Sequence, residues 1–257
     1  MFQPGLAASA GGGVMFEGAL AGFARTVVID ETRPVLPLTE LLRDDALDRL
    51  LLKVYGPELV KDQLPVLVSQ WMKYYAMQLI PPVVVASLAH GLGWPLGLDR
   101  LSFALHERGY LDGVRFEGAM THVSASDDPF ERFATLLANL QQVIDRMSAY
   151  GDVPAAVLWG NAGDYLETCL RQLSAASDVS VVPGYGLLRE RLRPDGRRNP
   201  LFNAVSYRER EGQTVRQRRT CCLSYRVEWV GRCEHCPLDA AVSPESPPDS
   251  IAARPAH

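Results

Sequence analysis

Apolar residues at three- and four-residue intervals dominate the first two thirds of the chain, and each such run predicts a helix with one buried face. Thr39 to Tyr55 reads as a first helix, and Leu64, Leu67, Val68, Trp71, Tyr75 and Leu79 mark a second. From Tyr74 to Leu98 there are 25 residues without a formal charge, long enough to span a bilayer if helical. Pro81-Pro82 should interrupt the hydrogen-bond ladder there, and Gly91, Gly93, Pro95 and Gly97 add a second break. A buried helix ending in a turn is the expectation, with weak peripheral membrane contact as the competing reading. The period then drops to two: Leu101, Phe103 and Leu105 alternate with smaller or polar residues, as do Val114 and Phe116 after Gly109. This predicts a β-hairpin with His106 and Glu107 at its tip. Asp128-Pro129-Phe130-Glu131 supplies a capping carboxylate, a first-turn proline and a capping-box acid ahead of Phe133, Leu137, Leu140, Ile144 and Met147, with Gly151 as the stop. A further helix is expected from about Pro154 to Ala176, carrying Trp159, Leu166, Leu170 and Leu173, its first turns thinned by Gly160 and Gly163.

After Pro183 the pattern changes again. Turn signals at Arg193-Pro194-Asp195-Gly196 and Glu211-Gly212 bracket Leu201 to Arg208, and Thr214 to Thr220 alternates like a strand, so a second hairpin should lead into Cys221. The pattern predicts an α+β protein: a predominantly helical body with small β-hairpins and a compact cysteine-rich C-terminal module. Its expected divisions are a flexible Ala/Gly-rich lead-in over 1–14, the body over 15–185, an Arg-rich hairpin and cysteine module over 186–238, and a disordered Pro/Ser-rich tail over 239–257.

Composition changes this picture mainly through cysteine. Four of the five cysteines fall within sixteen positions: Cys221-Cys222, ten intervening residues, then Cys233-Glu234-His235-Cys236. Clustered thiolates repel one another unless a strongly bound cation holds them, so zinc and an iron–sulfur cluster are the candidate occupants, with a redox-active or disulfide pair behind them. Adjacent cysteines make a poor arm for a tetrahedral zinc site, because neighbouring side chains of an extended chain point to opposite sides. A two-iron rhomb is a wider target, although spacing alone leaves zinc open. Cys169 lies in an apolar helical stripe more than fifty residues away and reads as a buried structural thiol. The first positive charge is Arg25, so the N-terminus lacks the basic region of a secretory signal, and the thiols suit a reducing, cytoplasmic setting.

The run Arg218-Arg219-Thr220-Cys221-Cys222-Leu223-Ser224-Tyr225-Arg226, followed by Cys233-Glu234-His235-Cys236-Pro237-Leu238, resembles the C-terminal signature of the FhuF family of ferric-siderophore reductases. Softer resemblance extends upstream through Asn199-Pro200-Leu201, Leu158-Trp159-Gly160-Asn161-Ala162-Gly163 and the segment from Gln70-Trp71 to Pro81-Pro82, or about residues 60 to 238 in all. Members often carry Gly after the third cysteine, where this chain has Glu234. The resemblance implies that Cys221, Cys222, Cys233 and Cys236 hold a [2Fe–2S] cluster. It also implies one-electron reduction of chelated Fe3+ to Fe2+, with a ferric siderophore of hydroxamate type as substrate. A zinc-stabilised binding module without redox activity is the alternative.

Charge adds a second layer. The chain carries a net −4, yet residues 186–236 hold twelve Arg and no Lys against six acidic residues, a local net of +6. Arg presents a planar donor fork suited to oxygen anions. Arg216, Arg218 and Arg219 are the candidate substrate-binding residues, together with His106 at the first hairpin tip; the competing reading is a solvated face that offsets cluster charge. His235, between the last two cysteines, is expected to tune them rather than to ligate. The stretch lacks the interleaved aromatics of single-strand binders, which argues against nucleic acid. No phosphate-binding Gly loop or dinucleotide fingerprint is present, so electrons are expected from an external donor protein.

Overall fold

The computed structural model describes residues 15–55, 61–123, 126, 128–210, 212–228 and 230–238. The expected lead-in over 1–14 and tail over 239–257 lie outside the described residues, as does Glu211 of the second hairpin turn. After a 3-10 segment, Gly18–Thr26, the described elements run β1 Leu36–Pro37, α1 Leu38–Leu41, α2 Asp44–Tyr55, α3 Leu64–His90, β2 Leu92–Gly93, β3 Leu101–Leu105, β4 Leu111–Phe116 and β5 Thr121–His122. Then follow α4 Pro129–Arg132, α5 Ala134–Gly151, α6 Ala155–Ala176, α7 Val182–Arg189, β6 Val205–Arg210 and β7 Gln213–Arg218. The strands form three small antiparallel groups, β1-β3-β4, β2-β5 and β6-β7.

The central element is α3. It is apolar on nearly every side, with Leu67, Val68, Met72, Tyr75, Leu79 and Val84 all fully buried, as a helix must be when neighbours enclose it. Contrary to the sequence expectation, Pro81 and Pro82 do not stop it: the helix runs on to His90. Each proline removes one backbone donor at a cost of about 3 kcal/mol or more. Ile80, Pro82, Val83, Val84, Val85 and Ala86 are all buried, so core packing outweighs that local penalty. Gly91, at φ +63°, ends the helix with its N–H on Ser87 O at 3.1 Å. Most of the charge-free stretch thus faces the core, and among the described residues no helix is long and apolar enough to cross a membrane.

Two other expected helices are divided. The first breaks at Leu42-Arg43, where Arg146 Nε donates to the Leu42 carbonyl at 2.8 Å and satisfies a group the break leaves free. The third breaks at Phe133, whose side chain turns into the core; ahead of it the Asp128 carboxylate accepts the Phe130 N–H at 2.8 Å, as the cap predicts. Gly151 has a different role from the predicted stop. It is the last helical residue, and a Cβ there would come within 2.6 Å of Val68 Cγ2, so glycine lets α5 lie close on α3. The left-handed cap is Asp152, at φ +46°. Helix α7 was not expected, because Pro183, Gly184 and Gly186 disguise it. Pro183 occupies its permitted first-turn position and Gly184 fits against Leu170.

Both predicted hairpins form. In the first, Leu101 pairs with Phe116 and Phe103 with Val114; in the second, Val205 pairs with Arg218 and Tyr207 with Arg216. The second hairpin docks on α6 through small residues. A Cβ on Gly163 would lie 2.3 Å from Ala204 Cβ, and one on Gly160 would lie 3.0 Å from Thr220 Cβ. This close approach brings the cysteine-bearing chain against α3 and α6.

A candidate iron–sulfur site beside a basic cleft

Strand β7 ends at Arg218, and the next residues turn back along α3. Leu223 is held at φ +65°, a left-handed conformation costly for a non-glycine residue, and Ser224–Arg226 follow as a 3-10 turn. The sharp turn directs the Leu223 N–H to Cys221 Sγ at 3.3 Å. At the other arm, the Cys236 N–H closes a turn on Cys233 O at 3.2 Å, and His235 O accepts the Arg218 N–H at 3.0 Å. Cys233 is the electrostatic partner of Cys222, and Cys221 lies within reach of Cys222 and Cys236. All four predicted cysteines therefore gather at one end of the hairpin, with Cys222 and Cys236 buried and Cys221 and Cys233 half-buried.

The thiols are not electrostatically alike. The hydrogen bond from Cys233, followed by the Lys73 ammonium, holds Cys222 as a thiolate well below the ordinary cysteine range. Cys233, the proton holder of the pair, is raised correspondingly. Burial raises Cys221, opposed by the Leu223 N–H. Lys73 Nζ lies 3.2 Å from Cys222 Sγ, and Ser224 Oγ lies 3.3 Å from the same sulfur. One helical turn before Lys73, the Ser69 hydroxyl donates to Cys222 O at 2.9 Å. The Asn161 amide from α6 donates in turn to Ser69 O and Oγ at 2.8 and 2.9 Å.

As they stand, no three His, Cys, Asp or Glu side chains among the described residues converge to hold a single metal ion. The fit to an iron–sulfur cluster rests instead on donor chemistry. Four thiols, one already a thiolate, lie together with a backbone N–H and an ammonium directed at their sulfurs. Such donors stabilise cluster sulfur charge and set reduction potential.

The predicted arginines separate into two kinds. Arg216 and Arg218 face α6 and are only 9% and 2% exposed. Arg216 pairs with Asp164 and Glu167, both at 2.7 Å, and Arg218 NH1 lies 3.4 Å from Asp164. Arg218 NH2 also donates to Asn161 Oδ1, and the Tyr207 hydroxyl donates to Glu167. Burial opposes the Arg216 charge, but Asp164 and Glu167 more than offset that and raise its pKa. The expectation that these two arginines offer free charge to a substrate is corrected: buried carboxylates already neutralise them. Arg219, pointing the opposite way from Arg218 as strand alternation requires, is exposed; its NH1 donates to Phe202 O at 3.0 Å.

His106 does sit at the first hairpin tip, but its ring is engaged there. Its Nδ1 accepts the Arg108 N–H at 3.2 Å and the imidazole stacks on Tyr110 at 4.3 Å, which stacks on Tyr74 at 5.3 Å. His235 keeps its ring near Arg216; burial first, and then that charge, lower its pKa. Cys169 is fully buried in α6, and burial pushes its thiol up to about 12.

Sequence reasoning missed Lys73, Ser69, Asn161 and the Asp164/Glu167 pair. The available signals were a lone cation on an otherwise apolar helix, and two acids three apart facing two arginines two apart. Also missed was a cleft of about 330 Å3 bordered by Trp159, Arg198, Phe202, Arg219 and Thr220, the last immediately before Cys221.

Comparison with known proteins agrees with this geometry. Residues 69–214 match the family described as "Ferric iron reductase FhuF-like transporter", and residues 218–238, which include all four clustered cysteines, match the "FhuF 2Fe-2S C-terminal domain". The chain is 27% identical over 191 residues to the ferric siderophore reductase of Escherichia coli (strain K12), covering 71% of this chain and 69% of that protein. With more than half of its length inside the first match, the chain belongs to the FhuF-like ferric iron reductase family.

Proposed function

We propose that this chain reduces the iron of ferric siderophores, and that Cys221, Cys222, Cys233 and Cys236 hold its [2Fe–2S] cluster. The observation that carries the reading is the gathering of four thiols under Lys73 and the Leu223 N–H, at the hairpin end that falls within the 2Fe-2S match. When bound, the cluster supplies one-electron transfer.

The chain's own residues do the rest. Lys73 places a positive charge against Cys222 Sγ and offsets part of the negative charge of a tetrathiolate site. Ser69, held by Asn161, fixes the backbone at Cys222, and the Arg218–Asp164 contact braces Asn161 from the far side. Hydroxamate oxygens are hard anionic ligands that hold Fe3+ far more tightly than Fe2+. One electron delivered to the metal therefore gives Fe2+ and loosens the chelate. For a one-electron couple, each tenfold preference for Fe3+ lowers the chelate's potential by about 59 mV, so prompt capture of Fe2+ pulls an unfavourable transfer forward. An external electron-donor protein supplies the electron, since the chain carries no nucleotide or flavin motif. Clustered thiols suit a reducing compartment, which supports the cytoplasm as the place of action.

The test is anaerobic. Chemically reduced protein, freed of reductant and mixed with a ferric tris-hydroxamate and an Fe2+ trap, should regain its oxidised visible spectrum as Fe2+ appears, one iron per electron. Iron, sulfide and zinc are measured on the same sample. Persistence of reduced cluster beside several ferric siderophores, or stoichiometric zinc in place of iron and sulfide, would overturn the reading.

A further inference from the structure

We infer that the cleft beside Cys221 is the seat of the chelate, with Arg198 and Arg219 holding the oxygen atoms of one iron-binding arm. The inference rests on the reductase reading above. It begins from the way the fold sorts its arginines. Arg216 and Arg218 are buried and paired with Asp164 and Glu167, so they have no charge to offer a ligand. Among the described residues Arg198 is exposed and enters none of the ion pairs found, and the Arg219 guanidinium has one hydrogen bond, to the Phe202 carbonyl. Both guanidiniums border the same cleft, whose lining contains no acidic side chain.

The other lining residues fit an amphipathic organic chelate. Trp159, Pro200 and Phe202 supply apolar and aromatic surface, and Arg219 lies over the Phe202 ring at 6.0 Å, which holds its planar fork at the cleft edge. The loop that presents Arg198 and Phe202 is preformed. Its buried Asn199 donates to Leu187 O and Glu190 O, both at 2.7 Å, and accepts the Leu201 N–H at 3.0 Å. A pinned loop loses little freedom when a ligand arrives. At about 330 Å3 the cleft takes one arm rather than a whole hexadentate chelate, and its open mouth leaves the remainder in solvent. Thr220 forms part of the wall and is bonded in sequence to Cys221, so an arm seated there lies next to the cysteine-bearing turn. Hydroxamate oxygens, carrying partial negative charge at their metal-binding edge, match two donor forks that meet no carboxylate among the described residues.

Binding can be separated from electron transfer with Ga3+, which forms a tris-hydroxamate complex of the same charge and is not reduced. Titrating that complex into cluster-loaded protein by calorimetry should give one site. The Arg198→Gln/Arg219→Gln double variant should weaken it about tenfold or more, the loss expected for hydrogen bonds from charged donors. Ala156→Trp, which narrows the cleft from its exposed rim without changing charge, should weaken it as well. Arg208→Gln, on the exposed part of β6, should bind like the parent. If the double variant and Ala156→Trp both keep parental affinity while the ferric chelate is still reduced, the chelate sits elsewhere; the inference fails and the reductase reading stands. If the parent neither binds the Ga3+ complex nor reduces the ferric one, both fall.

Discussion

Cys169 and Cys222 are both buried thiols, yet their surroundings push them in opposite directions. For Cys169 burial acts alone and pushes the thiol up to about 12. Cys222 has Cys233 and Lys73 beside it, and both favour its thiolate form. Iodoacetamide at about pH 9, where an exposed thiol is substantially ionised, should therefore leave Cys169 unmodified in the native protein. Cys169→Ala should retain the cluster, whereas Ala at Cys221, Cys222, Cys233 or Cys236 should deplete it, read from iron, sulfide and the EPR spectrum. Full cluster retention after loss of any one of the four would remove that residue from the ligand set. Lys73→Met should lower the midpoint potential by roughly 30–60 mV, up to a tenfold change in electron affinity for a one-electron couple, with Lys73→Arg closer to the parent. An unchanged potential in Lys73→Met would reduce Lys73 to a packing role. The cysteine pattern was legible in the sequence because ligand spacing is local. Lys73 was not, since 149 positions separate it from the sulfur it meets.

Among the elements, those dictated by local chemistry were readable. The first hairpin, the Asp128 cap and helix α6 follow alternation, capping and period. Where tertiary packing competes with propensity the reading failed, as at Pro81-Pro82 inside α3 and Phe133 between α4 and α5. Glycine misled in a consistent way: Gly151, Gly160 and Gly163 suggested stops and thin turns, but each allows another element to approach. This has a measurable consequence. Gly163→Val forces a side chain into space that Ala204 occupies, and should destabilise the protein by about 1–3 kcal/mol in denaturant unfolding while lowering cluster content. Arg218→Met leaves Asp164 with Arg216 alone and removes the hydrogen bond to Asn161, and should cost about 1–3 kcal/mol. Stability equal to the parent in either variant would show that the hairpin is not held against α6 as described.

For the whole molecule, the continuous apolar core extends from Met15 to Ala204, and Cys222, Cys236 and Val227 are buried outside it. The cysteine turn is tied down by polar contacts to Ser69, Lys73 and the end of β7, with Leu223 as its one side chain packed on the core among the described residues. Removal of the cluster by chelation should therefore leave the helical body folded. Hydrogen exchange should rise over 218–238 while α3, α5 and α6 keep their protection. Global loss of helical circular dichroism on chelation would contradict that division. The basic face expected from composition also resolves at this scale. Some of its arginines are internal counter-ions and others border the cleft, a distinction that composition cannot make because Arg218 and Arg219, neighbours that alternate sides where β7 ends, fall one into each kind.

That alternation gives β7 a parity. Arg216 and Arg218 point at Asp164 and Glu167, while Gln217 and Arg219 point away. Because side chains change sides at every residue, a one-residue slip of the strand toward the cysteines would aim Val215 and Gln217 at the two carboxylates and turn Arg216 and Arg218 outward. Relatives should therefore vary freely in the length of the turn near Gly212, but between that turn and the first cysteine they should gain or lose residues only in pairs.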